Sequence, residues 1–301
     1  MDCMKVNIFL IPDSFNFGKD IEEILSDVNI FNILKDKMAS DFVTFSLCSD
    51  FYNKIAPELY TASMDSGWAM SKFYDGINNV NTEEIDSVDT LVLANNDNPE
   101  YFERWIGIYT PIDINLSQLK EEAKVKCENS LVKFCTNTLA KNKREHSEYS
   151  FDIQQIYKNL IFLENPQHDK YKTFDSIRKM DGGYRNFQGA ISKFLCFANS
   201  YNIIPHNSQT NIDNMCAFLD FPVTPEGKGK NKRKIKALKR DFLIDGVVYE
   251  NVNCEYHYKL ERYDDSNGKG TYYFNRIYFG FFNRIDPENP KISIAHIGEH
   301  L

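Results

Sequence analysis

Apolar residues in this chain repeat with a period of two in short runs and with helical spacing in longer ones. Lys5 to Ile11 (KVNIFLI) and Asp41 to Leu47 (DFVTFSL) are rich in residues that favour a pleated surface, so each predicts a strand. Between them, Asp20 to Met38 places apolar residues three and four positions apart, which predicts a helix. Val88 to Ala94 (VDTLVLA) predicts a third strand. This alternation indicates a mixed α/β module at the N-terminal end.

Helical spacing dominates the middle of the chain. Ser49 to Tyr60 predicts a helix that breaks at Pro57, and Leu116 to about Lys141 predicts a long helix whose apolar residues share one face. Further helices are predicted at Phe151–Leu163, Thr173–Met180, Asn186–Tyr201 and Ile212–Leu219.

The last sixty residues change to the pattern of an antiparallel sheet. Lys234 to Phe242 predicts a short basic helix, and Asp245-Gly246 is a hairpin turn signal. Three strands follow, within VVYENVNCEYHYKLERYD, GTYYFNRIYFGFFNR and KISIAHIGEHL. The predicted fold class is α+β, with a mixed α/β N-terminal domain followed by a small antiparallel module. The predicted boundaries are 1–145 for that domain, 146–222 for a helical segment, 223–240 for a basic linker or helix, and 241–301 for the antiparallel module.

Composition and charge narrow the class of protein. No run of eighteen apolar residues exists, and the first residues do not have the pattern of a signal peptide, so we expect a cytoplasmic protein without a membrane partner. The net charge is −8, but residues 226–240 carry eight positive charges against one negative, which leaves −15 on the rest of the chain. The eight cations of this basic run are Lys228, Lys230, Lys232, Arg233, Lys234, Lys236, Lys239 and Arg240.

The sequence predicts neither a metal nor a cofactor. The seven cysteines are scattered singly and form no CxxC pair, which fits reduced thiols. His296 and His300 are four positions apart, but that spacing suits metal binding on a helix, whereas their segment has the pattern of a strand. The two histidines are instead candidates for acid–base chemistry near a strand end.

Two predicted strands offer a polar face. Alternation along Val252–Arg262 places His257 and Lys259 on one face, together with Glu255 and Glu261, and Arg276 shares a face with Tyr278 on the next strand. One register of the two strands brings the four site candidates His257, Lys259, Arg276 and Tyr278 together, whereas a slip of one residue separates them. The loop between the strands is long and leaves the register open. The alternative interpretation is the solvated face of a half-buried sheet.

If these side chains converge, they suit a phosphodiester. Lys259 and Arg276 would hold the phosphate and stabilise its developing charge. A histidine with a pKa near neutral could move a proton at a ribose hydroxyl or a leaving oxygen, and Tyr278 could donate a hydrogen bond or stack on a base. The basic run predicts phosphate contacts that weaken with salt, its alternative being a solvated loop. Aromatic residues near it favour nucleic acid, RNA rather than DNA.

Three stretches at the C-terminal end resemble RelE/ParE-type toxins. They are HYKLER (His257–Arg262), NRIYFGF (Asn275–Phe281) and ISIAHIGEHL (Ile292–Leu301), and they cover at most a third of the chain. The resemblance implies ribosome-dependent mRNA cleavage by Lys259, Arg276, Tyr278, and His296 or His300. The chain is about three times longer than such a toxin, and its last sixty residues are mildly acidic. A large chain with such a tail also resembles components of bacterial anti-phage defence systems.

The sequence thus predicts a nucleic-acid-binding protein, with a toxin-like, metal-independent endoribonuclease of antiviral defence as its most specific form. The alternative is a non-catalytic subunit of a defence or toxin–antitoxin complex, in which the C-terminal sheet docks a protein partner. A metal-dependent DNA nuclease ranks third, because no clustered acidic motif stands out.

Overall fold

The computed structural model describes residues 5–62, 66–96, 104–142, 146–163, 184–225, 238–264, 271–272 and 274–301. The chain divides into two compact units, Met1–Thr138 and Leu139–Leu301. Unit 1 holds a parallel sheet and unit 2 a largely antiparallel one, so the predicted α+β class is confirmed. No helix within the described ranges has the length and apolar character needed to cross a bilayer.

The first unit is built on a five-stranded sheet with the order β3-β2-β1-β4-β5, in which every pair is parallel. Its strands are β1 (Lys5–Leu10), β2 (Val43–Leu47), β3 (Asn81–Thr82), β4 (Arg104–Tyr109) and β5 (Lys124–Val125). Its helices are α1 (Ile21–Met38), α2 (Phe51–Ala62), α3 (Ser66–Ile77), α4 (Ser87–Ala94) and α5 (Glu128–Lys141), the last of which ends in unit 2.

Local chemistry explains where the first helix forms. The Asp20 side chain caps α1 by accepting a hydrogen bond from the Glu22 amide at 3.0 Å. The buried residues that follow recur at helical spacing, so one stripe of the helix packs into the core. They are Ile24, Val28, Phe31, Leu34 and Met38.

The second unit contains a five-stranded sheet with the order β6-β14-β13-β10-β7, antiparallel except for the β14–β6 pair. Its strands are β6 (Ile161–Phe162), β7 (Val223–Pro225), β8 (Lys239–Ile244), β9 (Val247–Asn253), β10 (Tyr256–Lys259), β11 (Tyr263–Asp264), β12 (Thr271–Tyr272), β13 (Asn275–Phe282) and β14 (Lys291–Glu299). Its helices are α6 (His146–Ile156), α7 (Tyr184–Ser200) and α8 (Ser208–Phe218). The sheet therefore includes strands from the stretches predicted as a helical segment and a basic linker.

Strands β8 and β9 form a separate two-stranded ribbon. Its turn has positive φ at both Asp245 (50°) and Gly246 (78°), as in a type I′ turn, at the two residues where the sequence predicted a hairpin turn. The base of the ribbon packs on the sheet through Phe242 and Val252, in a cluster with Phe282 and Ala295. This close packing explains the glycine at 280, because a Cβ there would overlap the carbonyl oxygen of Asn253.

Two sequence predictions in unit 1 are wrong, namely a strand at Val88–Ala94 and a helix break at Pro57. Val88–Ala94 is not a strand but lies in α4, where the Asp86 side chain caps the helix by accepting from the Asp89 amide at 2.8 Å. The predicted break at Pro57 is absent, since α2 continues through it with Ile55 and Leu59 buried one turn apart.

Three other predicted elements differ from the structure, two in their bounds and one in its type. The long helix from Leu116 begins only at Glu128, because β5 pairs with β4 and the Ser130 hydroxyl accepts the amide of Cys127 at 2.9 Å. The predicted basic helix at 234–242 is strand from Lys239 onward, where Phe242 packs into the core. The single predicted strand at 252–262 is divided between β9 and β10. The predicted helix at 173–180 lies outside the described residues.

Candidate functional site

The sheet of unit 2 adopts the register that brings the polar candidates together. In the β10–β13 pair, His257 lies opposite Tyr278 and Lys259 lies opposite Arg276. The neighbouring residues of each strand face the other side, where Phe194 of α7 contacts Tyr258, with ring centroids 5.0 Å apart. One face of the sheet is therefore an ordinary aromatic core, and the other carries the ionisable groups.

A bulge in β14 adds a second histidine to this face. The register between β13 and β14 shifts at Tyr278/Phe279, so that His296 lies opposite Tyr278. Tyr278 thus stands between two imidazoles, with ring centroids 5.5 Å from His257 and 6.0 Å from His296. Aligned across three adjacent strands, these rings form a continuous polar row, here called the His–Tyr–His row.

The row is buried. His257, Tyr278 and His296 are 3%, 1% and 2% exposed. Burial lowers the pKa of His257 to about 3, and the charges of Arg276 and Lys259 lower it further. Burial likewise lowers the pKa of His296 to about 4. Both imidazoles are therefore neutral at pH 7.

Residues 299–301 cover one side of the row. The Leu301 amide donates to the Tyr278 hydroxyl at 3.2 Å, and His296 Nε2 lies 3.1 Å from the carbonyl oxygen of Glu299. His300 is half-buried, and its amide donates to the Phe274 carbonyl at 2.7 Å. The charge of the His300 side chain also lowers the pKa of His257. A substrate would reach the Tyr278 hydroxyl only if these residues moved.

The cations lie at the margin of the row. Lys259 and Arg276 are half-buried and directly opposed across the β10–β13 pair. Burial and the neighbouring Arg276 charge lower the pKa of Lys259. Like charges in opposed positions of a sheet repel each other.

Two side chains at the site were missed by the sequence-based selection. Glu261 is buried and accepts hydrogen bonds from the amides of Phe274 and Asn275 at 2.5 and 2.8 Å, so it fixes the start of β13 beside Arg276. Burial raises the pKa of this carboxyl. The alternation along Val252–Arg262 already placed Glu261 on the same face as His257, so the sequence could have identified Glu261 as a site residue.

The other missed residue is Thr224 of β7. It pairs with His257 in the sheet, and its hydroxyl lies 3.0 Å from His257 Nε2. No sequence signal connected these two residues, because β7 is short and lies thirty-three positions away.

Most of the basic run cannot be placed at the site. Lys228, Lys230, Lys232, Arg233, Lys234 and Lys236 lie outside the described residues. Lys239 and Arg240 are half-buried on β8, where the Arg240 guanidinium donates to the Lys239 carbonyl at 2.9 Å. The charge of Arg240 lowers the pKa of His296, which brings one cation of the run near the row.

The described residues contain no group of three or more His, Cys, Asp or Glu side chains that could hold a metal ion. The chain was also compared with protein-family models, curated proteins and solved structures, and it matches none of them. The resemblance to RelE/ParE-type toxins therefore stays a prediction.

Proposed function

We propose that unit 2 binds RNA, with a phosphodiester held between Lys259 and Arg276. The observation that carries this proposal is the direct opposition of the two cations on a face that also holds Tyr278 and two imidazoles. Such a pair costs stability in the free protein and suits a bridging anion. Arg240, at the end of the basic run, adds positive charge near the same face.

The geometry favours binding over cleavage. At pH 7, imidazoles with pKa values of about 3 and about 4 are weak bases, and their remaining N–H is too weakly acidic to protonate a leaving group. Cleavage by His257 or His296 would require the covering residues 299–301 to move and the imidazole pKa values to rise. Ribonuclease activity, and a role in antiviral defence, accordingly rest on the toxin resemblance.

Fluorescence anisotropy with a labelled single-stranded RNA tests the binding proposal. The variant Lys259→Met/Arg276→Met should weaken binding and reduce the slope of log affinity against log salt concentration by about 0.7, since the two cations hold one phosphate and each single-strand phosphate contact contributes about 0.7. Lys158→Met/Lys291→Met removes the same charge from exposed positions of unit 2 and is the matched control. Wild-type affinity and slope in the first variant would overturn the proposal, and a slope near zero in the wild type would favour a protein partner.

Incubation of the wild type with RNA, with and without ribosomes, tests cleavage separately. Products that disappear in His257→Asn and persist in His206→Asn, an exposed histidine, would extend the function to a ribonuclease. An intact RNA that still binds would leave the protein as a binding module.

A further inference from the structure

The tip of the β8–β9 ribbon has an unusual composition for a free sheet edge. Leu243, Val247 and Val248 are 46%, 52% and 58% exposed, and Leu243 lies directly opposite Val248 across the ribbon. Within the described part of the chain, β8 and β9 pair only with each other. Residues 243–248 (LIDGVV) contain no lysine, arginine or proline, which are the residues that usually protect an edge from pairing.

The base of the same ribbon is protected, which confines the open edge to the tip. The ladder shifts register between Arg240 and Phe242, and Asn251 has a positive φ of 55°. The Arg284 guanidinium donates to the carbonyls of Glu250 and Asn251 at 2.6 and 3.4 Å. A partner strand could therefore pair with the tip but would meet a bulge and an arginine towards the base.

Charge along the two edges favours β9 and a second copy of the chain. If two β9 strands pair antiparallel about Val248, Glu250 lies opposite Gly246 of the second copy, and no acidic residues face each other. If two β8 strands pair about Leu243, Asp241 lies opposite Asp245 of the second copy, twice, and these like charges repel. The β9 edge is thus the self-complementary one.

We propose that the chain forms a two-fold symmetric dimer by antiparallel pairing of its β9 edges about Val248. The result is a four-stranded sheet across two chains, which joins the Leu243–Val248 pairs of both copies into one apolar surface. A two-fold interface is closed, so pairing at this edge ends with the dimer. The contact is small, so the dimer should be weak and depend on concentration.

Analytical ultracentrifugation of the full chain across a micromolar dilution series tests this proposal. The wild type should pass from monomer to dimer, and Val248→Lys should raise the dissociation constant by about tenfold or more, a loss of roughly 1.4 kcal/mol. Val92→Lys, which changes a valine of α4 that is 64% exposed, is the matched control and should dimerise like the wild type. A wild type that is monomeric throughout, or a dimer that survives Val248→Lys, would overturn the proposal.

Cysteine cross-linking tests the register. Opposed residues of an antiparallel pair have Cα atoms about 4.5–5.5 Å apart, within disulfide range. Val248→Cys should therefore link to itself on oxidation, whereas Leu243→Cys, three strand spacings or about 14 Å from its copy, should not. Peptide mass spectrometry separates this link from those of the exposed Cys127 and Cys216.

A wild type that stays monomeric would leave the edge to a segment of another protein. RNA affinity measured on Val248→Lys reports on the proposed function independently.

Discussion

The two units bury different kinds of polar side chain. Among the described residues, the buried polar positions of unit 1 are asparagine, serine and threonine only: Asn7, Ser14, Ser46, Ser87, Thr90, Thr110 and Thr138. Unit 2 buries four carboxyl or imidazole groups as well, namely Asp152, His257, Glu261 and His296. Burial disfavours the charged form of an ionisable group, so the stability of unit 2 depends on pH through its buried residues.

Charges at the edges of the two cores differ in the same way. In unit 1, Lys54 Nζ lies 2.8 Å from Asp50, whose carboxylate also accepts the amide and hydroxyl of Ser87 at the start of α4. In unit 2, the sheet register sets Lys259 opposite Arg276. Polar groups in unit 1 therefore join the starts of α2 and α4, whereas the sheet of unit 2 sets two cations opposite each other.

Acidification from about pH 6.5 to about pH 5 should give the largest effect, and over this range it should act on unit 2. All six histidines lie beyond residue 138. Because the folded pKa values of His257 and His296 are about 3 and about 4, below an unfolded value near 6.5, the unfolded chain gains protons first as the pH falls. Their stabilisation is complete above about pH 6.5, and roughly 4 kcal/mol is lost by about pH 5.

Two probes separate the units in that experiment. Both tryptophans, Trp68 and Trp105, belong to unit 1, so their fluorescence reports its unfolding, while hydrogen exchange of β13 amides reports unit 2. His257→Asn should reduce the pH dependence of unit 2 by about half. His206→Asn is the control, since it replaces an exposed histidine at φ 57° with a residue that tolerates this conformation. An unchanged pH dependence in His257→Asn would contradict the assignment.

The next largest effect is the difference in stability loss between alanine substitutions at two glycines. Gly280→Ala should destabilise unit 2 by about 3 kcal/mol, because its Cβ would meet the backbone of Asn253, which cannot move without displacing the ribbon. Gly107→Ala in unit 1 should cost less, because its Cβ would meet only side-chain ends, the nearest being Ile8 Cδ1 at 2.9 Å.

Urea unfolding of both variants measures the difference. Gly189→Ala in α7 is the control, since no atom lies within 4 Å of its Cβ, and it should gain about 0.8 kcal/mol from helix propensity. Equal losses at 280 and 107 would show that the ribbon yields as readily as a side chain.

Two carboxyl substitutions give intermediate effects of different size. Burial alone would raise the pKa of Asp50, but hydrogen bonds from the Lys54 ammonium and Ser87 hold it far below its usual range. Asp50→Asn should therefore cost roughly 2 kcal/mol at pH 7, because the amide nitrogen would face these two donors. Glu261→Gln should cost under about 1 kcal/mol, because its carbonyl oxygen can accept the same two amides and burial already disfavours the charge.

Denaturation at several pH values checks this pair. The loss in Asp50→Asn should diminish below about pH 3.8, where the unfolded carboxyl is protonated. The raised pKa of Glu261 has the opposite sign, so its contribution is present at low pH and is lost as pH rises through the folded pKa. A larger loss at 261 than at 50 would reverse the contrast between the units.

The smallest expected effect concerns Lys259, where a substitution should change stability and RNA affinity in opposite directions. Lys259→Met should stabilise unit 2 by about 0.5 kcal/mol, because it removes one of two opposed cations, while RNA affinity falls. Lys291→Met, at an exposed position of the same sheet, should change neither quantity. A loss of stability in Lys259→Met would show that the lysine is structural.

Several elements followed directly from the sequence. Helix α1, strand β1 and the Asp245-Gly246 turn were predictable because their period and capping or turn chemistry are local. The valines and leucines of α4 resembled a strand, but its cap at Asp86 and the burial of Thr90 and Ala94 made it a helix. At the site, alternation gave the polar face, whereas the strand register and the contact with Thr224 depend on tertiary packing.

The order of strands in unit 2 has a consequence for how the protein is made. Strand β14, at residues 291–299, is an inner strand between β6 and β13, and β6 lies about 130 residues earlier in the chain. The sheet therefore cannot be completed until the ribosome has released residue 299, whereas the strands of unit 1 are all synthesised by residue 125. During that interval β6 has no partner in the sheet, and contacts between such distant residues form slowly. Nascent chains of this protein should thus complete the sheet of unit 1 before that of unit 2.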